Sequence, residues 1–225
     1  MAKNSWQHAT RYGNITRLIH QDGQCIKVKE NDQYRWLEID GIMQSLMKLN
    51  DPSMPVLPPH QAMLEVLPDA SSSGIALELG LGGGAMQRYF TRNLPHWELT
   101  SVELNPLIIE LYREHFQLDD DSTNRQLLGR AELTVESIDN SSIGALIVDI
   151  CTDEGIPEVL ATPQFWLEIN RILEPDAALA VNLIPKHEKE WLQVTDLMRQ
   201  TLALDLGWIE IPRHLNILVV STHDS

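Results

Sequence analysis

The segment from Ile75 to Glu103 constrains the fold of this chain more than any other. An apolar run over residues 75–79 leads into the glycine-rich stretch LGLGGGA, which is followed by helical spacing over 85–93 and a second apolar run ending at Glu103. Glycines let a chain reverse sharply and let a ligand approach the backbone without meeting a Cβ atom. A helix that follows points its free N–H groups at such a ligand. The segment therefore predicts the nucleotide-binding half of a Rossmann-type α/β domain.

Two glycine motifs overlap on this turn. The dinucleotide motif GxGxxG/A is met by Gly80, Gly82 and Ala85, whereas the longer motif acid-x-G-x-G-x-G is met in full by Glu78, Gly80, Gly82 and Gly84. Glu103 ends the next strand, 23 residues after Gly80. Its carboxylate has lone pairs on two oxygens and can accept both ribose hydroxyl hydrogens. The strand, helix and acid together favour a bound adenosyl group over a simple tight turn.

Strands alternate with helices from residue 75 onward, which predicts a parallel sheet with helices on both faces. Strands are predicted at residues 75–79, 98–102, 132–135, 145–148, 177–183, 208–211 and 216–221, and helices at 85–93, 106–116, 163–173 and 186–204. The last two strands are joined too tightly for a parallel crossover, so they must be antiparallel. Such a mixed sheet is typical of the adenosylmethionine-dependent variant of the Rossmann plan.

The first 50 residues carry a different pattern. Strands are predicted at 14–21, 24–29 and 34–39, with turns at Asp22-Gly23 and Asp40-Gly41, as in a small antiparallel sheet. Four prolines in residues 51–59 predict an extended linker, and residues 60–67 have helical spacing. We therefore divide the chain into an N-terminal sheet (1–50), a linker and helix (51–74) and a Rossmann-like cofactor-binding catalytic domain (75–225).

Composition limits the kinds of ligand and partner that we expect for this protein. With 17 basic and 32 acidic residues the net charge is −15, which argues against a nucleic-acid partner. An acidic field would attract small cationic ligands, but on charge alone acidity that serves solubility explains the balance better. No apolar run is long enough to span a membrane, and the polar start lacks a signal core, so we expect a cytoplasmic protein without a membrane partner. The two cysteines argue against a disulfide framework, and none of the dispersed histidines, His60 among them, has metal-ligand spacing. We therefore expect no metal.

On these residues the chain resembles the spermidine synthase (polyamine aminopropyltransferase) family, as a divergent spermidine-synthase-like member. The resemblance covers most of the chain and rests on six segments. They are YRWLEIDGIMQ (34–44), MPVLPPHQAML (54–64), the glycine turn (75–84), TSVELNP (100–106), ALIVDICTDEGIP (145–157) and TPQFWLEINRIL (162–173).

The resemblance implies specific roles. Such enzymes bind decarboxylated S-adenosylmethionine, transfer its aminopropyl group to a small cationic amine and release methylthioadenosine. Asp149 would be the catalytic aspartate and would also contact the amine, Asp153 would hold the far ammonium, and Gln44 would contact cofactor or substrate from the DGxxQ turn. The cofactor would lie on Glu78, Gly80, Gly82, Gly83, Gly84, Glu103 and Leu104. A homodimer is implied as well.

The chain departs from the family at three places. Gly83 stands where the family has an aspartate that grips the aminopropyl ammonium. Arg130, in Gly129-Arg130-Ala131, stands where an aspartate reads the adenine amino group, and arginine has no acceptor; Glu132 or Glu136 is an alternative acceptor. The acids that usually follow the DGxxQ glutamine are replaced by Ser45-Leu46-Met47-Lys48-Leu49.

These departures leave alternatives open. A methyltransferase would use intact S-adenosylmethionine and release S-adenosylhomocysteine; since the intact cofactor carries its own carboxylate, a glycine at position 83 suits it. A catalytically impaired relative would bind a nucleoside or polyamine only. A nicotinamide dehydrogenase is a weaker fourth alternative, because nothing in the sequence indicates a hydride-transfer site.

Overall fold

A computed structural model describes residues 5–119, 124–152 and 155–222. They form a four-stranded antiparallel sheet and a seven-stranded mixed sheet covered by helices, which confirms the predicted fold class. Within these ranges, no helix is long and apolar enough to cross a membrane. The run Asp119-Asp120-Asp121-Ser122, whose acidic residues predict a solvated loop, lies mostly outside the described residues.

The N-terminal sheet follows a short helix α1 (Ser5–Ala9) that the sequence did not predict. Its strands pair in chain order, β1 (Asn14–Gln21), β2 (Gln24–Glu30), β3 (Tyr34–Ile39) and β4 (Ile42–Lys48). Both predicted turns have positive φ at their two residues, Asp22-Gly23 and Asp40-Gly41, as tight hairpins require. The fourth strand, β4, was not among the predicted strands.

The seven-stranded sheet has the order β10-β11-β9-β8-β5-β6-β7, with β11 antiparallel to both of its neighbours and the remaining pairs parallel. Its strands are β5 (Gly74–Leu79), β6 (Trp97–Glu103), β7 (Arg125–Leu128), β8 (Ile143–Val148), β9 (Leu173–Leu183), β10 (Leu206–Glu210) and β11 (Ile217–Ser221). The helices are α2 (Pro58–Met63), α3 (Ala85–Asn93), α4 (Pro106–His115), α5 (Ala131–Glu136), α6 (Pro163–Ile172) and α7 (Glu188–Thr201).

Strand β8 shows how the sheet is buried on both faces. All six of its residues are buried, as expected of a central parallel strand. Leu146 and Val148 join a cluster with α6 and α7, whereas Ala145 and Ile147 join the opposite cluster with α2 and α3. Helix α4 packs instead against the N-terminal sheet. The chain order changes direction beside β5, which places the glycine turn at the topological switch point where such sheets bind ligands.

One predicted strand was wrong. Residues 132–135 belong to helix α5, and the third parallel strand is β7, which the sequence did not predict. Thr134 Oγ donates to the carbonyl of Arg130 at helical spacing, and Val135 is fully buried. The strand preference of Thr and Val is weak and yields to tertiary packing. Strand β7 was missed because it is short, mostly exposed and at the sheet edge.

Candidate functional site

The glycine turn connects β5 to α3 and has left-handed backbone at Gly80, Gly82 and Gly84, where φ is 100°, 53° and 67°. Side chains are also sterically excluded at two of these positions. A Cβ atom at Gly80 would lie 2.9 Å from the carbonyl carbon of Asp149, and one at Gly84 would lie 3.0 Å from Tyr112 Cζ. A Cβ at Gly82 would meet nothing within 4 Å. The turn is therefore tight at both ends and open in its middle.

Gly83 is needed for a different reason, because its φ is outside the left-handed region. A Cβ atom at position 83 would lie 2.6 Å from Ser45 Cβ and even closer to Ser45 Oγ. Ser45 lies on β4 and is only 1% exposed, and its buried hydroxyl has no hydrogen-bond partner. The N-terminal sheet thus occupies the space that an aspartate side chain would require.

Arg88 anchors the turn from behind. This α3 side chain is buried; its Nε donates to the carbonyl of Pro52 at 2.7 Å and its Nη1 donates to the carbonyl of Gly83. Burial lowers the pKa of Arg88 to about 10, so the guanidinium stays charged at neutral pH. Arg88 therefore joins the linker to the glycine turn and places a positive charge beneath it.

Two acids flank the turn. Glu103 accepts the N–H of Leu81 at 3.2 Å through Oε2 and the N–H of Asn105 at 2.9 Å through Oε1, which ties the turn to the start of α4. A carboxylate has about four acceptor sites, so lone pairs remain for ribose hydroxyls. Glu78 is buried and accepts the hydroxyl of Ser101. Burial raises the pKa of Glu78 well above its ordinary value, which favours a neutral acid.

Asp149 follows β8 and receives hydrogen bonds on both carboxylate oxygens. Nε2 of His60 lies 2.9 Å from Oδ2, and Nδ2 of Asn182 donates to Oδ1 at 2.7 Å. The Cys151 thiol is 3.6 Å from Oδ1. Burial opposes ionisation of Asp149, but the hydrogen bond and charge of His60 and the amide of Asn182 outweigh it, so the pKa lies below its ordinary value. Asp149 is a fixed, ionised carboxylate that remains 20% exposed.

The structure brings most of the predicted site residues together. Glu78, the four glycines, Glu103 and Asp149 all lie at the carboxyl edge of β5, β6 and β8, and Leu104 beside Glu103 is exposed. Gln44 lies on β4, not in the preceding turn, at a register shift between β3 and β4. Asp153 lies outside the described residues.

The side chain of Arg130 forms an ion pair with Glu132, two residues further along the chain. Its Nε donates to Glu132 at 2.6 Å, and its side chain is 62% exposed. Glu132, the suggested alternative acceptor for adenine, is thus engaged in an ion pair.

Sequence reasoning missed three residues of this site. Asn182 had a signal, since it is the polar residue in the apolar run AALAVNL. Arg88 had a weaker one as a buried charge on α3. His60 had none, because a single histidine after two prolines indicates no partner. Among the described residues, no group of three or more His, Cys, Asp or Glu side chains is placed to hold a metal ion.

Comparisons with known proteins agree with this geometry. No protein-family model matches the chain. It is 28% identical over 158 residues to a polyamine aminopropyltransferase of Chromobacterium violaceum, covering 70% of this chain and 60% of that protein. The chain therefore spans less than two thirds of the curated relative it matches.

Solved structures give the same fold. A probable spermidine synthase from Corynebacterium glutamicum superposes with a TM-score of 0.76 at 19% identity, covering 93% of this chain and 80% of the other. Human methyltransferase-like protein 13 in complex with SAH superposes with a TM-score of 0.65 at 18% identity, covering 73% and 82%. The chain is spermidine-synthase-like in sequence and fold, as predicted, and shares that fold with methyltransferases.

Proposed function

We propose that this protein is a transferase that binds an adenosyl sulfonium cofactor and transfers an aminopropyl group from it to an amine. The observation that carries the proposal is the Asp149 carboxylate, held by His60 and Asn182 beside the glycine turn. The aminopropyltransferase relative supports an amine acceptor. A cytoplasmic location and a homodimer remain predictions.

The residues present fit an adenosyl group. The turn is open at Gly82, where a ligand can approach the backbone, and Glu103 retains acceptor capacity for ribose hydroxyls at the end of the neighbouring strand. The exposed Leu104 offers an apolar surface next to it. When bound, the cofactor supplies a carbon activated by positively charged sulfur. Decarboxylated S-adenosylmethionine fits the proposed aminopropyl transfer.

Asp149 would orient the acceptor amine. Its lowered pKa keeps it ionised, so it accepts an N–H bond from the amine and points the nitrogen lone pair at the activated carbon. As the carbon–nitrogen bond forms, the carbon–sulfur bond breaks and its electron pair stays on sulfur. An acceptor that arrives as an ammonium must first lose a proton, which Asp149 would take and pass to water, and this loss frees the lone pair for the attack. His60 and Asn182 are positioning residues, because each reaches the amine only through Asp149.

The test uses Asp149→Asn with Asp176→Asn as the matched control, since Asp176 lies on an exposed part of β9. Binding of decarboxylated S-adenosylmethionine, S-adenosylmethionine, methylthioadenosine and NAD is measured by calorimetry and thermal shift. We expect the adenosyl sulfonium compounds or their thioether to bind, Asp149→Asn to keep that binding and lose turnover, and the control to retain both. Binding of NAD alone, or full turnover by Asp149→Asn, would refute the proposal.

Methyl transfer is the second candidate. It is favoured by Gly83 and Ser45, which leave no acid to hold an aminopropyl ammonium, and by the charge of Arg88 beneath the turn. Mass spectrometry of the acceptor distinguishes the two, because an aminopropyl and a methyl group add different masses. If no cofactor binds, the third reading, a nucleoside- or polyamine-binding relative without activity, is favoured instead.

A further inference from the structure

A groove of about 480 Å³ opens at the same sheet edge as Asp149. It lies between the start of α7 and the connection from β10 to β11, and its volume is in the range of small-molecule sites. Because β11 is antiparallel to β9, the residues before β11 lie beside the end of β9. The end of β9, the start of α7 and the β10–β11 connection thus form the groove next to the candidate active site.

Side-chain amides connect this groove to Asp149. Asn216 lines the groove and donates from Nδ2 to Asn182 Oδ1 at 2.9 Å. Asn182 in turn donates to Asp149 at 2.7 Å. One amide and two hydrogen bonds therefore separate the groove wall from the carboxylate. The groove therefore lies close to the carboxylate that we propose holds the amine.

The groove does not share the acidic excess of the chain as a whole. Over the whole chain carboxylates outnumber Lys and Arg by 32 to 17, but in the groove they are equal and two histidines are added. Its ionisable residues are Lys186, His187, Glu188, Glu210, Arg213 and His214. Glu190 is nearby, but its carboxylate accepts the backbone N–H of Lys186. The start of α7 adds the partial positive charge of a helix N-terminus.

Apolar side chains form the rest of the wall. Trp191, Ile211 and Leu215 line the groove between the charged residues. Such a wall suits an alkyl or aromatic stem, whereas the cations at the rim suit an anionic end group.

We propose that the groove binds the far end of the acceptor, and that this end carries a carboxylate, so that the acceptor is an amino-carboxylate rather than a diamine. The inference rests on the proposed function for the position of the amine at Asp149. It predicts that the carboxylate pairs with Lys186 or Arg213 while the stem lies against Trp191.

The test compares two ligands of equal chain length, 5-aminopentanoate and 1,5-diaminopentane, by calorimetry on the full chain saturated with methylthioadenosine or S-adenosylhomocysteine, whichever binds. We expect the amino-carboxylate to bind about tenfold or more tightly, as one charge-assisted contact implies. Tighter or equal binding of the diamine, or no detectable binding of either, overturns the inference. Cofactor binding is measured separately, so it can survive when the inference fails.

Two variants locate the contact. Lys186→Glu should weaken the binding of 5-aminopentanoate about tenfold and strengthen the binding of the diamine. The control Lys189→Glu makes the same exchange on an α7 residue outside the groove and should change the binding of neither ligand. Arg213→Asn removes the second cation while keeping a residue that tolerates the left-handed backbone at φ 67°. An equal effect of Lys189→Glu would show that net charge, and not the groove, sets the preference.

Discussion

Replacing Gly83 by aspartate supplies the acid that the resemblance to spermidine synthases implies at this position, and we expect that the chain will not tolerate the substitution alone. The new Cβ would lie 2.6 Å from Ser45 Cβ, far inside van der Waals contact. Ser45 is on a paired strand and is 1% exposed, so it cannot move aside cheaply. Overpacking of this kind costs about 1–3 kcal/mol.

Removing the Ser45 side chain should relieve most of that cost. Ser45→Gly loses no hydrogen bond, since the hydroxyl has no partner, and a strand glycine costs about 0.5–1 kcal/mol. The double variant should therefore be more stable than the sum of the single effects predicts, by about 1–2 kcal/mol. Gly83→Ala serves as the control, because it introduces the clash without the charge.

Urea denaturation of the four members of the cycle gives the coupling energy, and calorimetry gives cofactor affinity. In the double variant the new carboxylate should shift preference toward decarboxylated S-adenosylmethionine by about tenfold or more, the value of one charge-assisted contact. Wild-type stability of Gly83→Asp, or the absence of coupling with Ser45→Gly, would refute the packing argument. A cofactor preference unchanged in a folded double variant would refute the electrostatic one.

Three further predictions concern buried or paired charges. Arg88→Met should lower the free energy of unfolding by about 3 kcal/mol or more, because two carbonyls lose a charged donor. The control Arg199→Met loses an ion pair with Asp196 and a contact with the Trp208 ring, both partly exposed, and should cost about 1 kcal/mol or less. Equal urea midpoints for the two variants would contradict the anchoring role of Arg88. The pKa of Glu78 is raised by burial, so its stabilising contribution is present below the ordinary carboxyl pKa and is lost as pH rises through the raised folded value. Glu78→Gln should therefore gain stability relative to the wild type as pH rises above the ordinary carboxyl pKa, and parallel curves of stability against pH would exclude this. His60→Gln should raise the pKa of Asp149 and move the acid limb of the pH profile of turnover to higher pH. Turnover should fall about ten- to a hundredfold, while cofactor affinity is kept. An acid limb at unchanged pH would show that His60 does not act through Asp149.

Features that depend on residues close together in sequence were predictable, whereas features that depend on contacts between distant residues were not. The glycine turn, the strands around it and the acids Glu103 and Asp149 were predictable because their signals are local. Glycine at left-handed positions, apolar runs of strand length and an acid at a strand end all depend on neighbouring residues. The short edge strand β7 and helix α5 were not predictable, because weak local preferences there yield to packing.

The contacts that make a site of these residues span long stretches of chain. His60 meets Asp149 across 89 residues, and Arg88 meets the Pro52 carbonyl across 36. No local pattern encodes either pair, since each depends on how the linker lies over the finished sheet. The sequence by itself determined the sheet, the turn and which acids stand at its edge. Only the tertiary structure decided which side chains fix Asp149, and that Ser45 fills the space beside Gly83, because strand β4 and the glycine turn are far apart in sequence and are in contact only in the folded chain.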